Sequence, residues 1–215
     1  KDSAPFPPTP GGNKLQSFAI SPDGKKAAAG SSSGVVYVWD IPSRKLEHQW
    51  PADPPHATYS VAWVPDGKQL VAGMHETLTL FDYPSGKRVH RIYKFRTLIK
   101  VGVTKDGSKI VASNWDAGIE VYDRQSGRML KDFGAGMIGN QKACNATILN
   151  NERLVTCGRG HFIDLWDWPS ATRLATFAGH QGPVFAVSAS AGEQYLVSSS
   201  EDSTVRVWKM PKGER

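Results

Sequence analysis

Short runs of four to seven apolar or alternating residues follow one another along the chain, and none carries apolar residues at helical spacing. VVYVW, TLTLF, IEVY, IDLW and TVRVW are five of these runs, rich in the β-branched and aromatic side chains that suit a pleated, half-buried surface. Turn chemistry bounds each of them. SPDGKK (21–26), VPDGKQ (64–69) and TKDGSK (104–109) put Asp-Gly where a tight hairpin needs positive φ, and LNNER and SAGEQ hold the same place later on. A second reversal follows each aromatic, in IPSRK, YPSGK, RQSGR and WPSAT. The pattern predicts strands joined by hairpins throughout. This is an all-β chain.

The runs and turns recur in phase. Aromatic–acidic pairs stand at Trp39–Asp40, Phe81–Asp82, Tyr122–Asp123 and Trp166–Asp167, with a variant at Trp208–Lys209. Their aromatics lie 42, 41, 44 and 42 residues apart, a period that marks an array of small sheets. Repeats are expected near 15–50, 55–92, 98–133, 141–177 and 178–210, each a four-stranded antiparallel sheet, the last lacking its outer strand. One such sheet cannot bury both faces. Sheets repeated around an axis bury them against their neighbours, which is the β-propeller solution.

AGHQGPVFAVSASAGEQYLVSSSEDSTVRVWKM (178–210) resembles a WD repeat, with its Gly-His opening, Ser/Asp hairpin and closing Trp. The resemblance covers about residues 15–210 and is strongest in this last repeat. It implies a hydrogen-bonded structural tetrad of His180, Ser198, Asp202 and Trp208, with His180 a satisfied buried histidine rather than a base. The fourth repeat keeps Thr156 and Trp166, whereas the first three carry Ala29, Ala72 and Ala112 at the Ser/Thr place and no Gly-His opening. Those sheets must rely on packing. The family's usual seven blades imply about two more, supplied upstream or by a partner chain. The apolar faces of the first and last repeats, and an unpaired edge, are then exposed in this chain. The SPDGKK-type turns resemble those of bacterial WD proteins, whose propellers often follow signalling or redox domains.

Residues 1–14 hold Pro5, Pro7, Pro8 and Pro10, and proline cannot donate to a ladder, so they are expected as an extended linker rather than a closing strand. Residues 15–215 form the propeller. The 215 residues are 40% hydrophobic and 21% charged, as in a folded domain, and no run approaches the ~18 apolar residues of a membrane span. The chain opens on Lys1 without a Met or an apolar signal core, as a processed product or excised piece would, so the compartment is not readable and the cytoplasm is the default. Cys144 and Cys157 lack CxxC spacing and read as buried thiols.

Several motif matches carry no chemistry. GSSSG (30–34) fits a nucleophile elbow around Ser32, but it lies in phase with hairpin loops and no helix follows. GAGMIG (134–139) fits a phosphate-binding glycine pattern, again with no helix to receive the phosphate. Asn145 heads a glycosylation sequon inside an expected strand. No His, Cys, Asp or Glu cluster has metal-ligand spacing, so no metal, cofactor or catalytic residue is assigned.

Binding is better supported. The loops expected at the channel mouth bring Trp115, Arg159, His161, Phe162, Phe95, Arg96, His75 and Met137 to one face. Aromatic and Arg side chains are the usual anchors of interfaces. From Tyr83 to Lys105 no acidic residue occurs, and Lys87, Arg88, Arg91, Lys94, Arg96, Lys100 and Lys105 give a basic rim. It reads either as a charged edge that blocks strand pairing or as a patch for polyanions, and the net charge of +6 with a pI near 9.3 favours acidic partners in general. A protein-interaction scaffold leads; the alternatives are the regulatory half of a larger enzyme and a basic-rim binder of nucleic acid.

Overall fold

The computed structural model describes residues 5–51, 56–93, 98–114, 118–133, 143–150, 152–190 and 192–211, at 93, 99, 143 and 144 by backbone alone. The chain divides into two compact units, Lys1–Val103 and Thr104–Arg215. In the first, β1 (Leu15–Ile20), β2 (Lys26–Ser31), β3 (Val35–Asp40) and β4 (Leu46–Pro51) form an antiparallel sheet in chain order. β5 (Thr58–Trp63), β6 (Gln69–Met74), β7 (Thr77–Asp82) and β8 (Arg88–Tyr93) form the next, and β9 (Leu98–Val103) opens the third repeat.

In the second unit, β10 (Lys109–Asn114), β11 (Ile119–Asp123) and β12 (Met129–Phe133) carry the third repeat on. β13 (Ala143–Ile148), β14 (Arg153–Gly158), β15 (Phe162–Asp167) and β16 (Thr172–Ala178) make the fourth sheet. The last is β17 (Val184–Ala189), β18 (Tyr195–Ser200) and β19 (Val205–Lys209), three-stranded among the described residues. One sheet per repeat is the architecture of propeller blades.

The hairpins form for the local reasons the sequence shows. Gly24, Gly67 and Gly107 hold φ near +70°, and Asp23, Asp66 and Asp106 each accept a hydrogen bond from the backbone N–H two residues on, at 2.9–3.0 Å. Bulges recur at fixed places too. The register slips within the first residues of β1, β5, β13 and β17, and again just before the repeat's aromatic at Trp39, Phe81, Tyr122 and Trp166. A bulge adds right-handed twist, so the first, second and fourth sheets are twisted at the same two points.

Packing between neighbouring repeats follows one rule. Ala28, Val36 and Val38 of the first repeat meet Val61, Leu70, Ala72 and Phe81 of the second. In the second unit Val111, Ile119 and Val121 meet Ala146, Leu154 and Trp166, and Val155, Ile163 and Leu165 meet Val184, Val187 and Leu196. One face of each sheet thus presents middle-strand Val, Ile and Leu, and the opposite face of the next offers its first strand and its aromatic. Polar bonds reinforce the seam: Ser60 Oγ accepts from Val101 N–H at 3.1 Å, and Thr147 Oγ1 donates to the Val187 carbonyl at 2.9 Å.

The proline-bearing segment differs from an extended linker. Pro10–Gly12 forms a 3-10 turn, Thr9 is buried, and Asn13 Nδ2 donates to the Tyr37 hydroxyl at 3.0 Å. Phe6 meets the Trp39 ring edge-on at 6.2 Å. Proline bars the segment from a ladder, but side-chain contacts strap it across the first sheet.

In three of the four aromatic–acidic pairs the acidic side chain closes the following turn. Asp40 accepts from Ser43 Oγ (2.6 Å) and Ser43 N–H (2.8 Å), Asp123 likewise from Ser126 (2.8 and 2.9 Å), and Asp167 from Ser170 (2.7 and 2.9 Å). Lys26 and Lys109 add ion pairs to Asp40 and Asp123. The Ser43 hydroxyl, then Lys26, lowers Asp40 to about 2, and the Ser126 N–H, then its hydroxyl, lowers Asp123 to about 2. A carboxylate depressed in the folded state adds stability that is complete above its unfolded value, near 3.8, and is lost as pH falls toward about 2. Resistance to chemical unfolding is therefore expected to weaken over that acid window. An Asp40→Asn, Asp123→Asn double variant should be less stable than the parent at neutral pH and indistinguishable from it at the acid end.

Candidate functional site

Among the described residues the candidate side chains lie at the turns between second and third strands in the second and fourth repeats, and in the last repeat that turn is locked. His180 Nδ1 lies 2.8 Å from Asp202 Oδ2, His180 Nε2 lies 2.8 Å from Ser198 Oγ, and Trp208 Nε1 donates to the same Oγ at 2.8 Å. Gln181 N–H and Thr204, by its N–H and hydroxyl, complete the shell of Asp202. The Thr204 hydroxyl first, with Gln181 N–H and His180 behind it, holds the Asp202 carboxyl well below the usual range.

With Nδ1–H turned to the carboxylate, donation runs one way, from Trp208 to Ser198 to His180 to Asp202. The order is that of a Ser–His–Asp catalytic relay. Ser198 and His180 are buried, however, and Ser198 Oγ is held between the indole and the imidazole. No substrate carbonyl can reach it. The constellation braces the sheet.

The other repeats solve the same problem differently. Trp166 Nε1 donates to Thr156 Oγ1 at 2.9 Å, and Asp164, paired across the ladder from Thr156, accepts from Thr176 at 2.5 Å. In the third repeat alanine stands at 112, and the Tyr122 hydroxyl donates instead to Glu120 at 2.7 Å, burial and that carboxylate pushing the phenol up. Phe81, paired with Leu70 across the ladder and clustered with Ala72 in the second repeat, has no polar atom to satisfy. Trp39 faces Ala29 in the first, and its buried Nε1 has no partner among the described residues. A hydroxyl is present where the aromatic carries an N–H, save at Trp39. Resemblance had put Thr156 with Trp166 and Ser198 with Trp208, whereas the Tyr122–Glu120 bond has no counterpart in that resemblance and was not foreseen.

Of the expected binding residues, Trp115, Phe95, Arg96 and Met137 lie outside the described residues. His75 sits exposed in the β6–β7 turn of the first unit, 5.6 Å from the His56 ring and 3.5 Å from the Glu76 carboxylate. Arg159 and His161 are exposed in the β14–β15 turn of the second unit, with Phe162 at its end, 6.5 Å from His161. Arg159 makes no hydrogen bond or ion pair with the described residues. Ser32 and Asn145 hold structural places, in the β2–β3 turn and in β13, where Asn145 donates to the Phe185 carbonyl. Cys157 is buried in β14.

Within the first unit the described part of the basic run changes strand. Lys87 is exposed before β8, Arg88 on β8 donates to the Pro51 carbonyl at 2.8 Å, and Arg91 is half-buried on the same strand. Lys100 lies on β9, a first strand that adjoins β5 rather than β8, and Lys105 in the second unit pairs with Glu193 at 2.6 Å. Lys94 lies outside the described residues. Among the described residues no three His, Cys, Asp or Glu side chains converge as metal ligands, and no helix is long and apolar enough to cross a membrane.

The family model for the WD domain, G-beta repeat, matches residues 10–40 and 171–209. Cilia- and flagella-associated protein 52 of Bos taurus is 23% identical over 92% of this chain and 32% of its own length. Autophagy-related protein 16 of Arabidopsis thaliana is 22% identical over 94% of the chain and 40% of itself, and meiotic fizzy-related protein 1 of Schizosaccharomyces pombe 24% over 92% and 58%. The chain thus spans about a third of the length of the first of these relatives. All three are eukaryotic, so the expected bacterial likeness is not supported. Asp-Gly hairpin chemistry is general and does not mark a lineage.

Proposed function

We propose that this chain, a WD-repeat protein of β-propeller blades, is a protein-interaction scaffold that takes its partner on the turns between second and third strands. One observation carries the reading. Asp202 in the last repeat's turn is bound into its sheet, whereas Arg159, His161 and Phe162 in the fourth stand exposed, with no bond tying Arg159 to another described residue. An Arg beside an aromatic, held on a rigid hairpin, can bury area and make directed polar contacts with little ordering cost. Relatives named as cilia- and flagella-associated and as serine-threonine kinase receptor-associated are in keeping with assembly work.

The polyanion reading is weaker, because Lys105 and Arg88 are engaged within the chain. Affinity capture with the intact chain, compared with Arg159→Glu and Trp115→Ala versions of unchanged circular dichroism, tests the scaffold. Recovery of specific partners should fall at least tenfold, and equal recovery from all three would remove the binding face. Capture that survives both changes but collapses with moderate salt would point to the basic residues instead.

A further inference from the structure

Between the first two sheets, at the end where first and second strands join, lies a cavity of about 450 Å³. Pro22 and Asp23 of the β1–β2 hairpin border it on one side, and Pro65 and Asp66 of the β5–β6 hairpin on the other. Trp63, the last residue of β5, and Tyr83, just past β7, add two rings that meet edge-on at 5.1 Å. These turns stand at the opposite end of the strands from those of the proposed binding face. The cavity is a separate site within the first unit.

The fold does not ask for an indole here. Ile20, Val103, Ile148 and Ala189 end the first strands of the other repeats, where Trp63 stands in the second. Trp63 is 8% exposed, and its Nε1 has no partner among the described residues. A buried donor in that state is costly, and native structures seldom leave one so. The indole only donates, so what it lacks is an acceptor. Charge adds a second requirement. Asp23 and Asp66 are exposed at the rim, each accepting the backbone N–H two residues on. Lys26 borders the cavity too, but its ammonium is held by Asp40 at 2.9 Å and Glu47 at 2.7 Å. Lys25 and Lys68 are exposed on the same hairpins outside the lining. In a chain of net charge +6, this corner therefore presents two carboxylates beside an ammonium already neutralised.

We infer that the cavity takes an extended, proline-rich segment of a partner protein that carries an arginine. Each proline brings a carbonyl acceptor and no backbone N–H, which suits a wall whose indole needs an acceptor. Proline rings pack on aromatic side chains, and a polyproline helix is extended before it binds, so docking costs little order. An arginine beside the prolines pairs with Asp23 or Asp66, the guanidinium and carboxylate matching in charge and shape. Because Nε1 is buried, docking includes a turn of the half-buried Tyr83 ring that packs on the indole.

Titration of the whole chain with three acetylated, amidated hexapeptides tests this: five prolines with one arginine, six prolines, and five alanines with one arginine. Proton–nitrogen NMR follows the Trp63 indole, identified as the signal that Trp63→Phe removes. The arginine–proline peptide should shift that signal saturably and bind at least tenfold more tightly than the alanine peptide. Trp63→Phe keeps a ring and loses the donor, and should weaken binding about tenfold, read from the amides of the two hairpins. Asp23→Asn with Asp66→Asn, both at exposed positions and still able to accept their hairpin bonds, should bring the arginine–proline peptide down to the affinity of hexaproline. No saturable shift in the parent, or undiminished affinity in Trp63→Phe, would overturn the inference. Equal affinity for the proline and alanine peptides would overturn it as well, showing a site for a cation alone. So would equal affinity of the parent for hexaproline and the arginine–proline peptide, since the two carboxylates would then recognise nothing.

Discussion

Replacing Gly86 by valine is expected to lower the unfolding free energy of the first unit by roughly 4 kcal/mol, more than any backbone effect alone supplies. Gly86 holds φ +70° in the β7–β8 turn, and its N–H donates to the Asp82 carbonyl at 2.8 Å. Positive φ is not what makes it irreplaceable. The matching place in the first and fourth repeats is taken by Arg44 (φ 57°) and Ala171 (φ 58°), which bear side chains there. Gly86 differs in what lies over it, because an added Cβ would run into Nε1, Cδ1 and Cε2 of Trp50.

Trp50 has nowhere to go. It is buried in the first unit's core, stacked on Phe81 at 5.7 Å and 24°, and meets the Tyr83 ring at 6.3 Å. Displacing it opens the seam between the first two sheets, so the clash becomes a packing loss as well. Gly67→Ala is the matched control: its φ is +69° but nothing stands within 4 Å of the added carbon. That change should remove only about 1 kcal/mol, the left-handed backbone penalty. Urea unfolding of both variants measures the difference, and equal losses would show that Trp50 yields freely.

The contrast shows what the sequence could and could not reveal. The Asp-Gly hairpins, the phase of the aromatics and the sheet per repeat were readable, since each rests on residues within a few places of one another. The tetrad partners were readable by resemblance, and the geometry sets His180, Ser198, Asp202 and Trp208 within hydrogen-bonding reach. Contacts between repeats were not. Nothing near Gly86 in sequence announces Trp50, 36 places earlier. Nothing in four prolines announces that Phe6 will lie on Trp39. The basic run was legible as a count of charges and not as a surface: its described members in the first unit lie on or beside β8 and on β9, and neighbours along a strand alternate faces.

The ladder register also explains where the chain can do without hydroxyls. Ala72 and Ala112 cost little because Phe81 asks for no partner and Tyr122 finds Glu120 on its own strand. Both sheets are also covered by apolar neighbours. Among the described residues nothing covers Val197, Val205 and Val207 of the last sheet. That sheet carries the complete set of His180, Ser198, Asp202 and Trp208. Polar bracing is fullest where packing is thinnest.

On that reasoning His180→Ala should destabilise the last sheet far more than its lost volume suggests, by roughly 3 kcal/mol. The change strips Asp202 of its ring donor and leaves the Ser198 hydroxyl with the Trp208 N–H alone, both in buried surroundings. Ser198→Ala in the parent should lose about 1–2 kcal/mol, by orphaning the His180 and Trp208 nitrogens. Made in the His180→Ala background, the same change should do much less, since the chain of donors is already cut. Native-state hydrogen exchange reads the effect where it falls. Amides of β17 to β19 should lose protection while those of β13 to β16 keep most of theirs, because Thr156 still receives Trp166 in the fourth sheet. Additive losses from the two changes would mean that four side chains act as separate contacts, and that packing alone sustains the final sheet.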